Sequence, residues 1–169
     1  MRENLKAFCN MINIRQILIG LSVLLLGTLV YIVDRPPLQT YFVYKNILNI
    51  SLHSDLPNLF GIIGNSLPSF AHVFSFILIT AAIISIRKKG YIFVCASWFL
   101  FDFIFELGQR FNSLVLTIIP DWFSGIPFFE NTKNYFSRGT FDVIDLVAVL
   151  IGSITAYFVL IITMAKGKA

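Results

Sequence analysis

The chain has 169 residues, 57% of them hydrophobic and only 13% charged, and its 13 Lys and Arg against 9 Asp and Glu give a formal net charge of +4. A soluble domain carries about 25% charged residues, and a mean hydropathy of +0.80 is more apolar surface than so few charges can cover in water. These figures exclude a disordered chain, a nucleic-acid-binding tail and a soluble globule, and they predict an integral membrane protein.

A membrane-spanning helix takes about 20 residues. The length therefore allows four spans with modest loops, in a single domain over 1–169 with no separate soluble part. The 18 Phe suit an apolar solvent. Cys9 lies in a polar leader and Cys95 inside a hydrophobic run, so no disulfide framework is expected.

The first span is predicted over 17–33. It is too long for a signal-peptide core, no small-residue cleavage site follows it, and Asp34-Arg35-Pro36-Pro37 ends it, so it reads as a retained helix. Its Gly20 and Gly27 read as packing positions. The second span is predicted over 69–86, with Pro68 just ahead of it, where a helix start tolerates proline. Arg87-Lys88-Lys89-Gly90 reads as a tight basic turn. The third span, 91–110, is purely apolar to Phe101 and then carries Asp102, Glu106, Gln109 and Arg110. The fourth covers 141–164, with Lys166 and Lys168 beyond it.

Charge sets the expected orientation. Eight Lys and Arg (Arg2, Lys6, Arg15, Arg87, Lys88, Lys89, Lys166 and Lys168) fall on the side of the termini and five on the other, while eight of the nine acids fall on or near that second side. The positive-inside rule then places both termini in the cytoplasm and turns the loops 34–68 and 110–140 outwards. Those loops are too apolar for free water at Tyr41-Phe42-Val43-Tyr44, Leu59-Phe60-Gly61-Ile62-Ile63, Trp122-Phe123 and Ile126-Pro127-Phe128-Phe129. The expected fold is thus an all-α four-transmembrane-helix bundle with interfacial or re-entrant segments on its outer side.

Ionisable residues inside spans point to chemistry. One Asp at mid-membrane costs about 2.5–3.5 kcal/mol, whereas each Leu, Ile, Phe or Val returns about 0.3–0.6. The ten such residues in 91–108 return roughly 3–6 kcal/mol, which two central acids would cancel. Asp102 and Glu106 are therefore expected near the outer end, facing protein or water. Asp102, Glu106 and Gln109 fall at i, i+4 and i+7, one helix stripe. Asp142 and Asp145 open the fourth span, where acids suit the positive end of the helix dipole, and Asp142 is a candidate cap. Ala148, Gly152 and Ala156 continue the Asp145 face and let another helix approach closely. His72, in the first turn of the second span, falls at a similar depth, with Arg110 and Arg138 as nearby cations. The candidate ligand-binding set is His72, Asp102, Glu106, Gln109, Arg110, Arg138, Asp142 and Asp145. Each alone has a plain structural reading as a cap or hydrogen-bonding partner; their convergence from separate elements favours a polar pocket.

These residues resemble the VanZ-like family of small bacterial membrane proteins. The likeness rests on His72, on Glu106-Leu107-Gly108-Gln109, on Arg138-Gly139-Thr140-Phe141-Asp142-Val143-Ile144-Asp145 and on Gly152, and it covers about 69–160. Leu67-Pro68-Ser69-Phe70-Ala71 replaces the acidic-basic pair that commonly precedes the family's His. Val149 stands for a usual Asn and Ala156 for a Gly, the Gly-Arg order is reversed, and the loop 110–137 is long. The resemblance implies a place in the bacterial cytoplasmic (inner) membrane and cell-envelope biology with a link to glycopeptide antibiotic tolerance, and no defined reaction.

Several functions stay open at this point. The first is a pocket for the headgroup of a membrane lipid or lipid-linked cell-wall precursor, with Arg110, Arg138 and Lys133 on phosphate and Glu106, Asp142 and Asp145 on hydroxyls or an amine. The second is an intramembrane enzyme acting on a lipid headgroup. It would use a metal on His72, Glu106 and Asp145, with His53 as an optional fourth group, or a carboxylate acid-base pair. A proton-coupled carrier using Asp102 and Glu106 lacks ionisable groups in the inner half of its spans, and a purely structural role completes the set. No cofactor motif and no nucleic-acid partner are expected.

Overall fold

The computed structural model describes residues 12–36, 51–56, 58–84, 88–126, 129–130 and 132–164. In chain order the helices are α1 (Ile14–Val33), α2 (Gly61–Ile84), α3 (Lys88–Arg110), α4 (Asn112–Ile118), α5 (Thr132–Arg138) and α6 (Val143–Ile162), with a 3-10 turn at Asp121–Gly125 between α4 and α5. Helices α1, α2, α3 and α6 are long and apolar enough to cross a membrane. The protein is an all-α, multi-pass membrane bundle. The Tyr41–Tyr44 segment, Pro127-Phe128, Cys9 and the terminal lysines lie outside the described residues.

Local chemistry explains where the helices begin. Asn13 caps α1 by accepting from the Gln16 N–H at 3.4 Å, and Asp142 caps α6 by accepting from the Ile144 N–H at 2.8 Å. Helix α2 departs from the expected 69–86: it starts two turns earlier, with Pro68 buried inside it. Asp34 accepts from the Leu59 and Phe60 N–H groups at 3.0 and 2.9 Å, and Asn58 accepts from Gly61 at 2.7 Å. Donors at the front of the helix are thereby satisfied ahead of the proline, which costs the Gly64 carbonyl its usual partner. The Leu59–Ile63 stretch, expected as an interfacial piece, is in part the first turn of α2. Lys88, Lys89 and Gly90 likewise belong to α3 rather than to a turn. A first helical turn has no intrahelical acceptors for its N–H groups, so it accommodates this polar start.

Helix α2 is the centre of the bundle. Half of its most apolar window is buried, against 28% for each of the other three spans. It runs antiparallel to α1, where close approach is set by small residues. A Cβ on Gly20 would sit 3.1 Å from the Ser75 carbonyl, and one on Gly27 would sit 2.8 Å from the Ala71 Cβ. Helix α6 packs along another face of α2, with Gly152 against Phe70 and Val73. Helix α3 closes a third face through Trp98, whose indole N–H donates to the Thr80 hydroxyl at 3.0 Å. The core between them holds Val73, Ile77, Leu78, Val149 and Leu160. Cys95 is a buried free thiol on α3.

A polar clamp joins the end of the bundle opposite the short helices. The Asn13 amide donates to the Thr163 carbonyl at 2.9 Å and the Gln16 amide to the Thr163 hydroxyl at 3.0 Å. Gln16 is 1% exposed. Gln16→Leu keeps the volume and removes one neutral hydrogen bond, and Thr163 Oγ1 still donates to the Val159 carbonyl. The expected loss is about 1 kcal/mol, read as a lower thermal midpoint in mild detergent.

Candidate functional site

The acids gather at the end of the bundle where α4 and α5 connect α3 to α6. On α3, Asp102 and Glu106 lie one turn apart on the same stripe, and each is 8% exposed. Both Asp102 oxygens stand 3.1 Å from His72 Nδ1 of α2; because α2 begins at Gly61, His72 sits about three turns into that helix and not in its first turn as expected. The His72 ring is held edge-on by Phe76 at 4.5 Å and Trp98 at 6.2 Å between centroids. His72 is partly exposed, so one side of this pair remains open.

Glu106 has no such partner. Its Oε2 is buried and accepts no hydrogen bond. The charges acting on it most are the carboxylates of Asp145, Asp102 and Asp142. Asp145, in the first turn of α6, faces the Ser66 and Ser69 hydroxyls of α2, and its charge is also felt by Arg35. Its Oδ1 is nevertheless buried without a partner. The structure thus brings Asp102, Asp142 and Asp145 within electrostatic reach of Glu106 and attaches His72 through Asp102.

The other sequence candidates form the rim. Gln109 donates to the Tyr135 hydroxyl at 2.9 Å. Arg110 is exposed and lies 5.9 Å from the Phe141 ring centroid. Arg138 ends α5, beside Gly139, where a Cβ would sit 2.9 Å from the Gln109 side chain. Gly108 admits the buried Phe136 ring so closely that a Cβ there would lie 2.6 Å from Cε1. The glycines at 108 and 139 therefore dock α5 across the end of α3. Lys133, expected to meet phosphate, pairs with Asp121 at 2.6 Å on the surface.

Five residues absent from the sequence candidates complete the place. Tyr31 and Arg35 are one turn apart at the end of α1, with the guanidinium 4.8 Å from the ring centroid and one N–H donating to the Asn65 carbonyl at 2.7 Å. Tyr31 is within electrostatic reach of Glu106 and Asp145. Ser66 and Ser69 flank Asp145, and Tyr135 of α5 lies within electrostatic reach of Glu106. Tyr135 is 37% exposed, but burial of its phenol end, with the Glu106 carboxylate adding to the effect, pushes that hydroxyl up to about 12. It therefore stays a neutral donor at physiological pH. Tyr31 and Arg35 carried a faint signal, an i, i+4 pair at a span end.

Among the described residues no three His, Cys, Asp or Glu side chains converge in a way that could hold a metal ion. His53 is exposed in the 51–56 segment. A separate cleft of about 300 Å³ lies between α2 and α3 towards the other end of the bundle, lined by Thr80, Ile84, Gly90, Phe93, Val94, Ser97 and Trp98. It holds none of the acids. No protein-family model, curated protein or solved structure matches the chain.

Proposed function

We propose that this chain is a VanZ-like protein of the bacterial cytoplasmic membrane whose carboxylate end faces outwards and binds the polar headgroup of a lipid or lipid-linked cell-wall precursor. The observation that carries this reading is a pair of buried carboxylate oxygens, Glu106 Oε2 on α3 and Asp145 Oδ1 on α6, with no hydrogen-bond partner. Leaving such an acceptor unpaired costs about 1–3 kcal/mol, and more when it is charged. Two of them on different helices are what an incoming donor-bearing group would complete. The surrounding helices expose Leu100, Phe101, Ile104 and Val147, apolar surface that suits acyl chains. Arg110 and Arg138 are the rim cations for a phosphate, and Asp121 takes up Lys133. Outward orientation and a role in glycopeptide tolerance are parts of the same proposal, supported by the charge distribution and by the resemblance respectively.

The enzyme alternative keeps one version. Glu106 and Asp145, each within the other's electrostatic field, would be the acid and the base acting on a headgroup, whereas a metal version finds no donor set among the described residues.

Native mass spectrometry of protein extracted in mild detergent tests the reading. Wild type should retain a specific lipid, and Glu106→Gln should lose most of it while keeping the same size-exclusion profile. Equal retention by the two proteins would sink the proposal.

A further inference from the structure

We infer that the headgroup taken here carries a primary ammonium group, seated among Tyr31, Glu106, Tyr135 and Asp145. This rests on the headgroup reading above and narrows it. Glu106 is more than nine-tenths buried, and its Oε2 has no donor. The charged groups that act on it most are carboxylates, so the protein supplies repulsion there and not balance. A buried carboxylate needs both an opposite charge and hydrogen-bond donors. A neutral hydroxyl supplies donors alone, and a phosphate would add a further negative charge. A primary ammonium supplies one positive charge and three N–H donors on one small atom.

The aromatic neighbours point the same way. Tyr31 and Tyr135 both lie within electrostatic reach of Glu106 and of each other. Phenol rings beside carboxylates favour a cation through the ring quadrupole. Tyr31 already holds one cation, the Arg35 guanidinium, 4.8 Å from its centroid. The four groups come from four helices, α1, α3, α5 and α6, so the seat exists only when the bundle is assembled.

The test offers the detergent-extracted protein an equimolar mixture of phosphatidylethanolamine, phosphatidylcholine and phosphatidylglycerol, with retained lipid weighed by native mass spectrometry. The first has a primary ammonium, the second a cation without N–H donors, the third no ammonium. Phosphatidylethanolamine should be retained over phosphatidylcholine by roughly tenfold, the worth of a charge-assisted hydrogen bond. That preference should vanish in Glu106→Gln and in Asp145→Asn; the second variant serves if the first fails to fold. Excess free ethanolamine identifies the source: displacement shows that a soluble amine suffices, and persistence assigns the amine to a lipid. Equal retention of phosphatidylethanolamine and phosphatidylcholine overturns the inference, as does a preference that survives both substitutions. Glu106-dependent retention of phosphatidylglycerol overturns the ammonium and leaves the headgroup reading standing. Retention of every lipid without dependence on Glu106 overturns both.

Discussion

Gly152→Val is expected to separate α6 from α2 and to give the largest loss of stability of any single substitution on the α6 packing face. The reason is distance. A Cβ at 152 would lie 2.6 Å from Val73 Cγ1 and 3.0 Å from the Phe70 carbonyl oxygen. Neither neighbour can yield cheaply. Val73 is fully buried and stiff at χ1, and the Phe70 oxygen belongs to helical backbone. Gly152→Ala already requires a shift and should cost about 1–3 kcal/mol; valine adds two methyl groups at the same point and should exceed that range. The contact also fixes the register of the site. Asp145 stands two turns above Gly152 on α6, as Ser66 and Ser69 stand above Val73 on α2, so an opened contact moves the carboxylate from its donors. Unfolding midpoints in mild detergent give the direct reading. Val73→Ala placed on the Gly152→Ala background should return part of the loss. If Gly152→Val unfolds like wild type, the helix pair is not held at this point.

Much of this architecture was readable because it is local. Four apolar runs of span length are a property of composition within a window, and they became α1, α2, α3 and α6. The Asp102–Glu106 stripe and the Gly152–Ala156 stripe follow from helical periodicity alone, and Gly152 and Ala156 are indeed buried. The Asp142 cap follows from its place before an apolar run. What stayed hidden depends on how one helix sits against another. Asp34 caps the start of α2 from about 25 residues away, so α2 begins ahead of Pro68 although the proline marks a helix start when read alone. Ser66 and Ser69 are ordinary polar residues until the α2–α6 register sets them opposite Asp145. Tyr31 and Arg35 look like the end of a span until α1 packs on α2 antiparallel and carries them to the acids. Gly108 and Gly139 form part of the family-like motif, but their purpose, admitting Phe136 and Gln109 so that α5 can lie over α3, is visible only in three dimensions.

His72→Leu is expected to destabilise the protein more than His72→Leu and Asp102→Leu together. Asp102 is 8% exposed, and both its oxygens turn to His72 Nδ1. Without the imidazole that carboxylate keeps its burial and loses its donor. Removing one partner of a fully buried pair costs about 3–5 kcal/mol, whereas replacing both by apolar groups is often neutral or better. Here His72 is 44% exposed on its side chain, so the pair is not fully buried and the single loss should be nearer about 1–3 kcal/mol. Asp102→Asn keeps a hydrogen-bond acceptor without the charge and should fall between the extremes. Unfolding midpoints of wild type, both single leucine variants and the double variant form a cycle, and a coupling of about 0.5–3 kcal/mol is expected. Strict additivity would mean that the contact contributes nothing. The same four proteins separate structure from binding. A double variant that regains stability and still retains lipid makes His72 and Asp102 a support for the neighbouring Glu106. One that regains stability but loses lipid places His72 in contact with the headgroup.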